Sequence, residues 1–176
     1  MSRIITFSLN AQSIQNAMNE IAAYKSDVKR KTQELAKRIA QILEERIAAK
    51  FAGAVADMYF NREGEYSQSP DYSIGIDGNG DSYVVWTSGQ DAVFVEFGTG
   101  VYYNGNAGSS PHPKGSELGF TIGSYGKGMG KRTTWGFKRD GVTYLTHGIP
   151  AMMPMYESAQ EVAREIESIA KEVFGM

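Results

Sequence analysis

The stretch that decides the fold is SDVKRKTQELAKRIAQILEERIAAKFA, residues Ser26 to Ala52. Its large apolar residues recur at gaps of three, four and seven, which is the spacing of one face of a helix. At 1.5 Å per residue, a helix of this length is roughly 40 Å long, comparable with the width of a compact domain of this size. The pattern therefore predicts a helical spine with other elements packed on its apolar side.

The apolar spacing also extends toward the N-terminus, through Ile14, Met18 and Ile21. Lys25 interrupts it, which predicts a first helix over about Ala11 to Tyr24 that kinks or breaks near Ser26 and Asp27. The second helix is predicted to end at Gly53, because glycine often follows the last helical residue. The helical spine then covers residues 11–52.

The first ten residues carry two local signals. Ile5 to Ser8 alternate between apolar and polar, which predicts a short strand within residues 1–10, and Asn10 is predicted to cap the following helix. We find neither a basic cluster followed by an apolar core nor a small-residue cleavage site, so we expect no secretion signal. No apolar stretch approaches the roughly 18 to 20 residues that span a bilayer, so no membrane contact is predicted.

Two segments have the pattern of β-hairpins. Ser73 to Asp77 and Ser82 to Ser88 flank Gly78-Asn79-Gly80, a glycine-rich turn between alternating residues. Thr134 to Lys138 and Val142 to Thr146 flank a second turn, Arg139-Asp140-Gly141, and are rich in aromatic and β-branched residues. A small, mainly antiparallel sheet is therefore predicted within residues 53–146.

The C-terminal region, residues 150–176, is predicted to be a helix. Pro154 suits its first turn, and the apolar residues after it step by three and four. Between the hairpins, residues 92–97 are open to two interpretations. Their β-branched and aromatic residues favour a strand, whereas Asp91 as a cap and Gly98 as a stop favour a short helix.

Half of the glycines fall in one region, ten of twenty between Gly98 and Gly130. Residues 101–132 show little periodicity and are predicted to be a long loop that orders on a partner or a neighbouring copy, with plain disorder as the alternative. The fold class predicted for residues 1–176 is a single α+β domain, with a long N-terminal helix and a C-terminal helix packed on the small sheet.

Composition excludes several classes of function. With 41% hydrophobic and 22% charged residues the chain has an ordinary globular composition, and its net charge of -2 gives no overall attraction to nucleic acid. The absence of cysteine excludes disulfides and thiolate chemistry. His112 and His147 lack metal-ligand spacing, and Asp77 to Asp81 lacks the glycine and glutamate of a calcium loop, so we predict neither a metal nor a cofactor.

Gly126 to Arg132 resembles a phosphate-binding loop only partly. A nucleotide loop needs Gly-Lys followed at once by Ser or Thr before a helix, and here Arg132 intervenes. A nucleotide- or phosphate-binding enzyme using this segment, or a small non-specific DNA-binding module, stays open as an alternative. We expect Lys127, Lys131 and Arg132 to contact DNA phosphates or a neighbouring subunit. No Gly-x-Ser-x-Gly elbow is present, so no hydrolytic triad is predicted.

Charge is segregated along the chain. Residues 25–50 contain eight basic and four acidic residues, whereas residues 51–113 contain eight acidic residues and one arginine. Glu157, Glu161 and Glu165 lie at i, i+4 spacing, where like charges repel unless cations lie opposite. We predict either a solvated acidic face or acidic and basic faces that meet across copies of the chain.

A family resemblance rests on two motifs. Phe94-Val95-Glu96-Phe97-Gly98-Thr99-Gly100 is followed, after a glycine-rich insert, by His147-Gly148-Ile149-Pro150-Ala151-Met152-Met153-Pro154 and a terminal helix. This arrangement resembles the tail-component family of tailed bacteriophages, whose members are neck or tail-completion proteins. The predicted N-terminal strand and long helix are similar as well, so the resemblance covers most of the chain.

The resemblance implies a structural virion protein and no reaction. It implies a homo-oligomeric ring, with a hexamer as one option, between the head connector and the tail tube, made in the bacterial host cytoplasm and carrying genomic DNA through its lumen. Its implied neighbours are the head-closure protein and the tail-terminator or tail-tube proteins.

In physical terms the motif residues have structural roles. Gly98 and Gly100 permit a sharp turn, Thr99 can pin it, and Phe97 precedes it. Pro150 and Pro154 fix the backbone entering the last helix. We expect Glu96 to be a buried carboxylate satisfied by local amides rather than a catalytic acid, because no second acid or base lies beside it in the sequence.

Overall fold

The computed structural model describes residues 5–60, 71–98, 102–103, 106–107, 110–118, 120, 135–139, 141–146 and 151–175. Three helices are described: α1 (Ala11–Phe60), α2 (Gln90–Phe97) and α3 (Pro154–Phe174). The strands are β1 (Ser73–Gly78), β2 (Tyr83–Ser88), β3 (Tyr102–Tyr103), β4 (Asn106–Ala107), β5 (Trp135–Arg139) and β6 (Val142–Thr146). They pair as three two-stranded antiparallel ladders, β1 with β2, β3 with β4 and β5 with β6. The predicted α+β class is confirmed.

Helix α1 is continuous, and this corrects the predicted break near Ser26 and Asp27 and the predicted end at Gly53. The Asp27 carboxylate lies 2.8 Å from the Arg30 guanidinium, one turn later, which supports the helix where a break was expected. Gly53 lies between buried Phe51 and buried Ala54. Core packing on both sides offsets the roughly 1 kcal/mol that a glycine costs inside a helix.

The N-terminal residues confirm one prediction and correct another. The Asn10 side-chain oxygen accepts a hydrogen bond of 2.8 Å from the Ser13 amide, so Asn10 caps α1 as expected. Residues 5–8 are irregular, and the predicted strand there is wrong. A strand needs a neighbour for its backbone groups, and none of the described strands pairs with this segment.

The core lies where the C-terminal half of α1 meets α2, the β1–β2 hairpin and the start of α3. Its buried residues are Ile47, Phe51, Ala54, Ala92 and Val95. Residues packed around it include Leu43, Tyr72, Ile74, Val85, Met152 and Met155. The Phe51 ring stacks on the Tyr72 ring with centroids 5.2 Å apart. The methionines therefore fill gaps in the core, as their flexible side chains suit them to do.

Helices α1 and α3 pack antiparallel, and their contact places cations of the same chain opposite the acidic residues of α3. Lys50 Nζ lies 2.7 Å from a Glu161 oxygen and 3.0 Å from a Glu157 oxygen, and Arg46 is paired with Glu165. The acidic series is therefore neutralised by the basic residues of α1 within the same chain. The three carboxylates nevertheless stay 41–49% exposed.

The remaining elements follow the sequence closely. Both hairpins are confirmed, the first with Ser73 opposite Ser88 and the second with Trp135 opposite Thr146. The Asn79 side-chain oxygen accepts hydrogen bonds from the amides of Asp81 and Ser82, which fixes the first turn. Residues 92–97 belong to a helix rather than a strand. No described helix combines the length and the apolar character needed to cross a membrane.

Candidate functional site

Glu96 is the centre of a buried polar cluster at the N-terminus of α3. One carboxylate oxygen accepts a hydrogen bond of 2.8 Å from the Met155 amide, and the other accepts one of 3.0 Å from the Tyr156 amide. The side chain is 6% exposed. The expectation of a buried carboxylate satisfied by amides is confirmed, but the amides come from α3 rather than from the neighbouring turn.

The sequence of α3 explains why it needs this carboxylate. Its N-cap residue is Met153, with φ 51°, which offers no side-chain acceptor, and Pro154 follows in the first turn. Proline has no N–H, so the free amides of the first turn are those of Met155 and Tyr156. Glu96 accepts from both, and its negative charge lies at the positive end of the helix dipole. Glu96 therefore caps α3 from a different helix.

His112 completes the cluster. Its Nε2 lies 3.1 Å from the carboxylate oxygen of Glu96 that also accepts from Tyr156, and its Nδ1 accepts a hydrogen bond of 3.0 Å from the Lys114 amide. Because Nδ1 is an acceptor, Nε2 carries the proton and donates to Glu96. The imidazole packs against Phe97, with centroids 4.4 Å apart, and Phe97 stacks on Phe120.

The segment that delivers His112 is folded by its own backbone. The Ser110 amide donates to the Phe120 carbonyl, and the Phe120 amide donates to the Gly115 carbonyl over 2.7 Å. Gly115 is required there, since a Cβ would lie 2.7 Å from the Ser110 Cβ. Residues 110–118 and 120 belong to the region predicted to order on a partner or a neighbouring copy, with disorder as the alternative. In the structure these residues pack on their own domain.

The hydrogen bonds of the cluster lie within the fold. Both carboxylate oxygens of Glu96 and both ring nitrogens of His112 take part in them, so three of the roughly four acceptor positions of the carboxylate are used. Among the described residues no group of acidic and histidine side chains is arranged to hold a metal ion. The cluster joins α2, the 110–120 segment and α3 into one unit.

The predicted site residues are only partly brought together. Glu96 and Phe97 lie in the cluster, Pro154 opens α3, and Gly98 ends α2 with φ 78°, the positive value expected for it. The other predicted residues, Thr99, Gly100, Lys127, Lys131, Arg132 and Pro150, lie outside the described part of the chain. His112 was missed as a partner of Glu96, although a histidine between two prolines is a recognisable local feature.

A second candidate site is the N-terminal part of α1, residues 11–26, which we call the arm. Lys31 Nζ donates to the carbonyl of Phe174, the last residue of α3, and Gln33 bonds to Asp81 in the turn of the first hairpin. Both of these described neighbours of α1 therefore end at this level, and the arm extends roughly 20 to 30 Å beyond them. Ala17, within the arm, is nevertheless buried. Within the arm, the Gln12 side-chain amide donates to the Asn16 side-chain oxygen, and the Ser13 hydroxyl accepts a hydrogen bond from the Ser8 amide just before the arm.

The arm carries an apolar stripe that is exposed. Ile14, Met18, Ile21 and Tyr24 are 40%, 58%, 55% and 48% exposed, whereas Ile47 and Phe51 in the same helix are 1% and 0% exposed. Ile21 precedes Ile39 by five turns at 3.6 residues per turn, so both lie on one face of α1. The stripe is therefore the core-facing side of α1 continued past the edge of the domain.

Comparison of the chain with models of protein families, with curated proteins and with solved structures finds no match.

Proposed function

We propose that this protein is a structural component of a tailed-phage virion, a self-associating neck protein of the head–tail joining or tail-completion kind, and not an enzyme. The observation that carries the assembly role is the exposed stripe of the arm. The phage assignment is supported by the resemblance of the two sequence motifs.

The stripe forms a sizeable apolar patch. With Phe7 and Leu9, which are also exposed, its side chains present on the order of 500 Å² of apolar surface, similar to the largest patch on a typical monomeric protein. Scattered apolar residues on a surface are ordinary, but a continuous row on a projecting helix is typical of an interface. The arm thus supports an assembly role.

The Glu96 cluster supports a structural role for the motifs. The two motifs lie about 55 residues apart in sequence, yet the Val95 carbonyl accepts a hydrogen bond of 2.9 Å from the Met152 amide, and Glu96 caps α3. The groups that carry the resemblance thereby hold the fold together. In the proposed function the domain is the ring wall, and genomic DNA passes through the lumen between head-closure and tail proteins.

The test in the virion is deletion of the gene from the phage or prophage that encodes this chain. We expect filled heads and tails that fail to unite, as seen by electron microscopy, and restoration of joined particles by a plasmid copy. Normal virions from the deletion strain would overturn the neck role.

Purified protein gives a second test, aimed at the alternatives. We expect no shift in melting temperature with nucleotides, whereas a ligand at 100 times its dissociation constant would stabilise by about 2.7 kcal/mol. Such a shift would favour the nucleotide- or phosphate-binding enzyme. Tight DNA binding that falls steeply with salt, by a protein that stays monomeric, would favour the free DNA-binding module.

A further inference from the structure

We infer that Asn79 is a site of spontaneous covalent modification, at which the side-chain amide is lost as ammonia and an aspartate or isoaspartate takes its place. The inference does not depend on the proposed function. Asn79 and Gly80 lie in the turn that joins β1 to β2, and Asn79 is exposed to water. Asparagine is among the chemically labile residues of proteins, and its surroundings decide how fast it reacts.

The reaction needs only these two residues, a base and water. The backbone nitrogen of Gly80 gives its proton to hydroxide and attacks Cγ of Asn79. A bond forms between this nitrogen and Cγ, the bond from Cγ to Nδ2 breaks, and Nδ2 takes a proton from water and leaves as ammonia. Because both reacting groups belong to adjacent residues, closure of the five-membered imide ring benefits from proximity. Water then opens the ring, at Cγ to give aspartate or at the backbone carbonyl carbon to give isoaspartate.

Gly80 leaves the attacking nitrogen accessible. It has no side chain, and the nearest atom that a Cβ would meet there is Gln33 Nε2, at 3.8 Å. Any other residue would place a Cβ beside the nitrogen and hinder the attack. Gly80 also has a φ of 93°, in a region that glycine enters freely, so the backbone can turn toward Cγ at small cost.

The turn also positions the group that is attacked. Asn79 Oδ1 accepts hydrogen bonds of 3.1 Å from the Asp81 amide and from the Ser82 amide. Oδ1 gains negative charge when Cγ is attacked. Two backbone amides that already point at this oxygen stabilise that charge, as paired amides do in acyl transfer.

Two other asparagines of the chain lack these conditions. Asn16 and Asn19 lie inside α1, so the amides that follow them, those of Ala17 and Glu20, donate to helix carbonyls one turn earlier. Each of these nitrogens also belongs to a residue with a side chain. Asn16 and Asn19 therefore serve as internal controls for Asn79.

The two products affect the turn differently. Aspartate keeps an oxygen that can accept from the same two amides, so the turn is retained. Isoaspartate carries the main chain through Cγ and lengthens it by one carbon, which disturbs the register that places Gly78 opposite Tyr83. The hydrogen bond of 2.8 Å from Gln33 to Asp81, which ties the turn to α1, is then expected to weaken.

Mass spectrometry of the aged protein tests the site. The folded chain is kept in mildly alkaline buffer at body temperature, and cleavage after Glu65 and Glu96 releases residues 66–96, in which Asn79 is the only asparagine. We expect this peptide to change from amide to acid at least about tenfold faster than residues 1–20, which carry Asn16 and Asn19. Fragment spectra should locate the change at residue 79, and an isoaspartyl methyltransferase should label the same peptide.

The same measurement in urea shows what the fold contributes. Because the turn leaves the nitrogen accessible and holds Oδ1 between two amides, we expect the rate at Asn79 in the folded protein to stay within about tenfold of the rate in urea. Folding should slow the reaction at Asn16 and Asn19 by a larger factor. The second Asn-Gly pair of the chain, Asn104-Gly105, falls in a different peptide and does not confuse the result.

Two variants test the chemistry. Gly80→Ala should slow the change at Asn79 by about tenfold or more, with circular dichroism as the check on its fold. Asn79→Gln would have to close a larger ring and should abolish the change in residues 66–96, whether or not the turn adapts. An acid that still forms in this peptide in Asn79→Gln, or an Asn79 that folding protects by more than about tenfold relative to urea, would overturn the inference.

Discussion

The two ends of α1 share one pattern and have different environments. Ile47 and Phe51 lie in the core, whereas Met18 and Ile21, at equivalent spacing on the same helix, are more than half exposed. The difference arises from where the neighbours end, at Phe174 of α3 and Asp81 of the hairpin turn. Helical periodicity identifies a face that will be covered, but it does not say whether the same chain or another copy covers it.

The largest expected effect is in the core half of α1. Phe51→Ala should lower the free energy of unfolding by about 3–5 kcal/mol, because it removes a fully buried ring and leaves a cavity. Urea denaturation followed by circular dichroism measures this. Met18→Ala is the matched change in the arm and should stay within about 0.5 kcal/mol of wild type under conditions where the protein is monomeric. Equal losses in the two variants would contradict the contrast between the two ends.

The next largest effect is expected at Glu96, which caps α3 beside the core half of α1. Glu96→Ala should cost about 2–4 kcal/mol, since it leaves the amides of Met155 and Tyr156 and the ring of His112 without their acceptor. The measurement is again urea denaturation. Glu172→Gln, at an exposed position on α3, is the control. A Glu96→Ala variant as stable as this control would show that the cluster does not hold the fold.

A smaller effect, of opposite sign, tests the continuity of α1. Gly53→Ala should raise the stability by about 0.5–1 kcal/mol, because alanine favours the helix and the added Cβ meets no atom within 4 Å. Thermal unfolding measures the gain. If the helix ended at Gly53 with a left-handed residue, the same change would destabilise the protein instead.

The smallest effect comes from the ion pairs between α1 and α3. The hydrogen bond from Lys50 lowers the pKa of Glu161 below its ordinary value of 4.5. For Lys50, burial opposes the charged form, but hydrogen bonds to Glu161 and Glu157 outweigh burial and raise its pKa. The contribution of Glu161 to stability is therefore present above its unfolded pKa and is lost as the pH falls through the folded value.

Melting temperatures measured from neutral to acidic pH test whether this contribution of Glu161 is lost as the pH falls. Glu161→Gln should flatten the acidic fall in stability, whereas Glu172→Gln should follow the wild-type curve. The effect is modest because these side chains are partly exposed to solvent. If the melting temperature of Glu161→Gln falls as steeply at acidic pH as that of wild type, Glu161 does not contribute to the pH dependence of stability.

The parts of the fold that depend on local signals are predictable from sequence. Asn10 as a cap, the hairpin turn at Asn79 and the opening of α3 at Pro154 each need only a few neighbouring residues. The predicted helix end at Gly53 failed because of contacts between distant residues. Local signals stop the helix at Gly53, but packing of Phe51 and Ala54 continues it.

In the candidate site, too, local features were predictable from sequence and contacts between distant residues were not. The burial of Glu96 was expected, yet its partners are the α3 amides and His112, which no local spacing connects to it. The partners of the acidic residues of α3 could not be predicted from local spacing either, because Lys50 lies 111 residues from Glu161. The stripe of the arm was visible as periodicity, but its exposure depended on where α3 and the hairpin end.

The unbroken α1 has a consequence for how the molecule behaves in solution. Fifty residues give a rod of about 75 Å, nearly twice the diameter of a compact globule of this chain length. A single subunit should therefore tumble slowly, elute early from a sizing column and give a maximum dimension of at least about 75 Å in small-angle X-ray scattering. Elution volume alone would make one copy look like two.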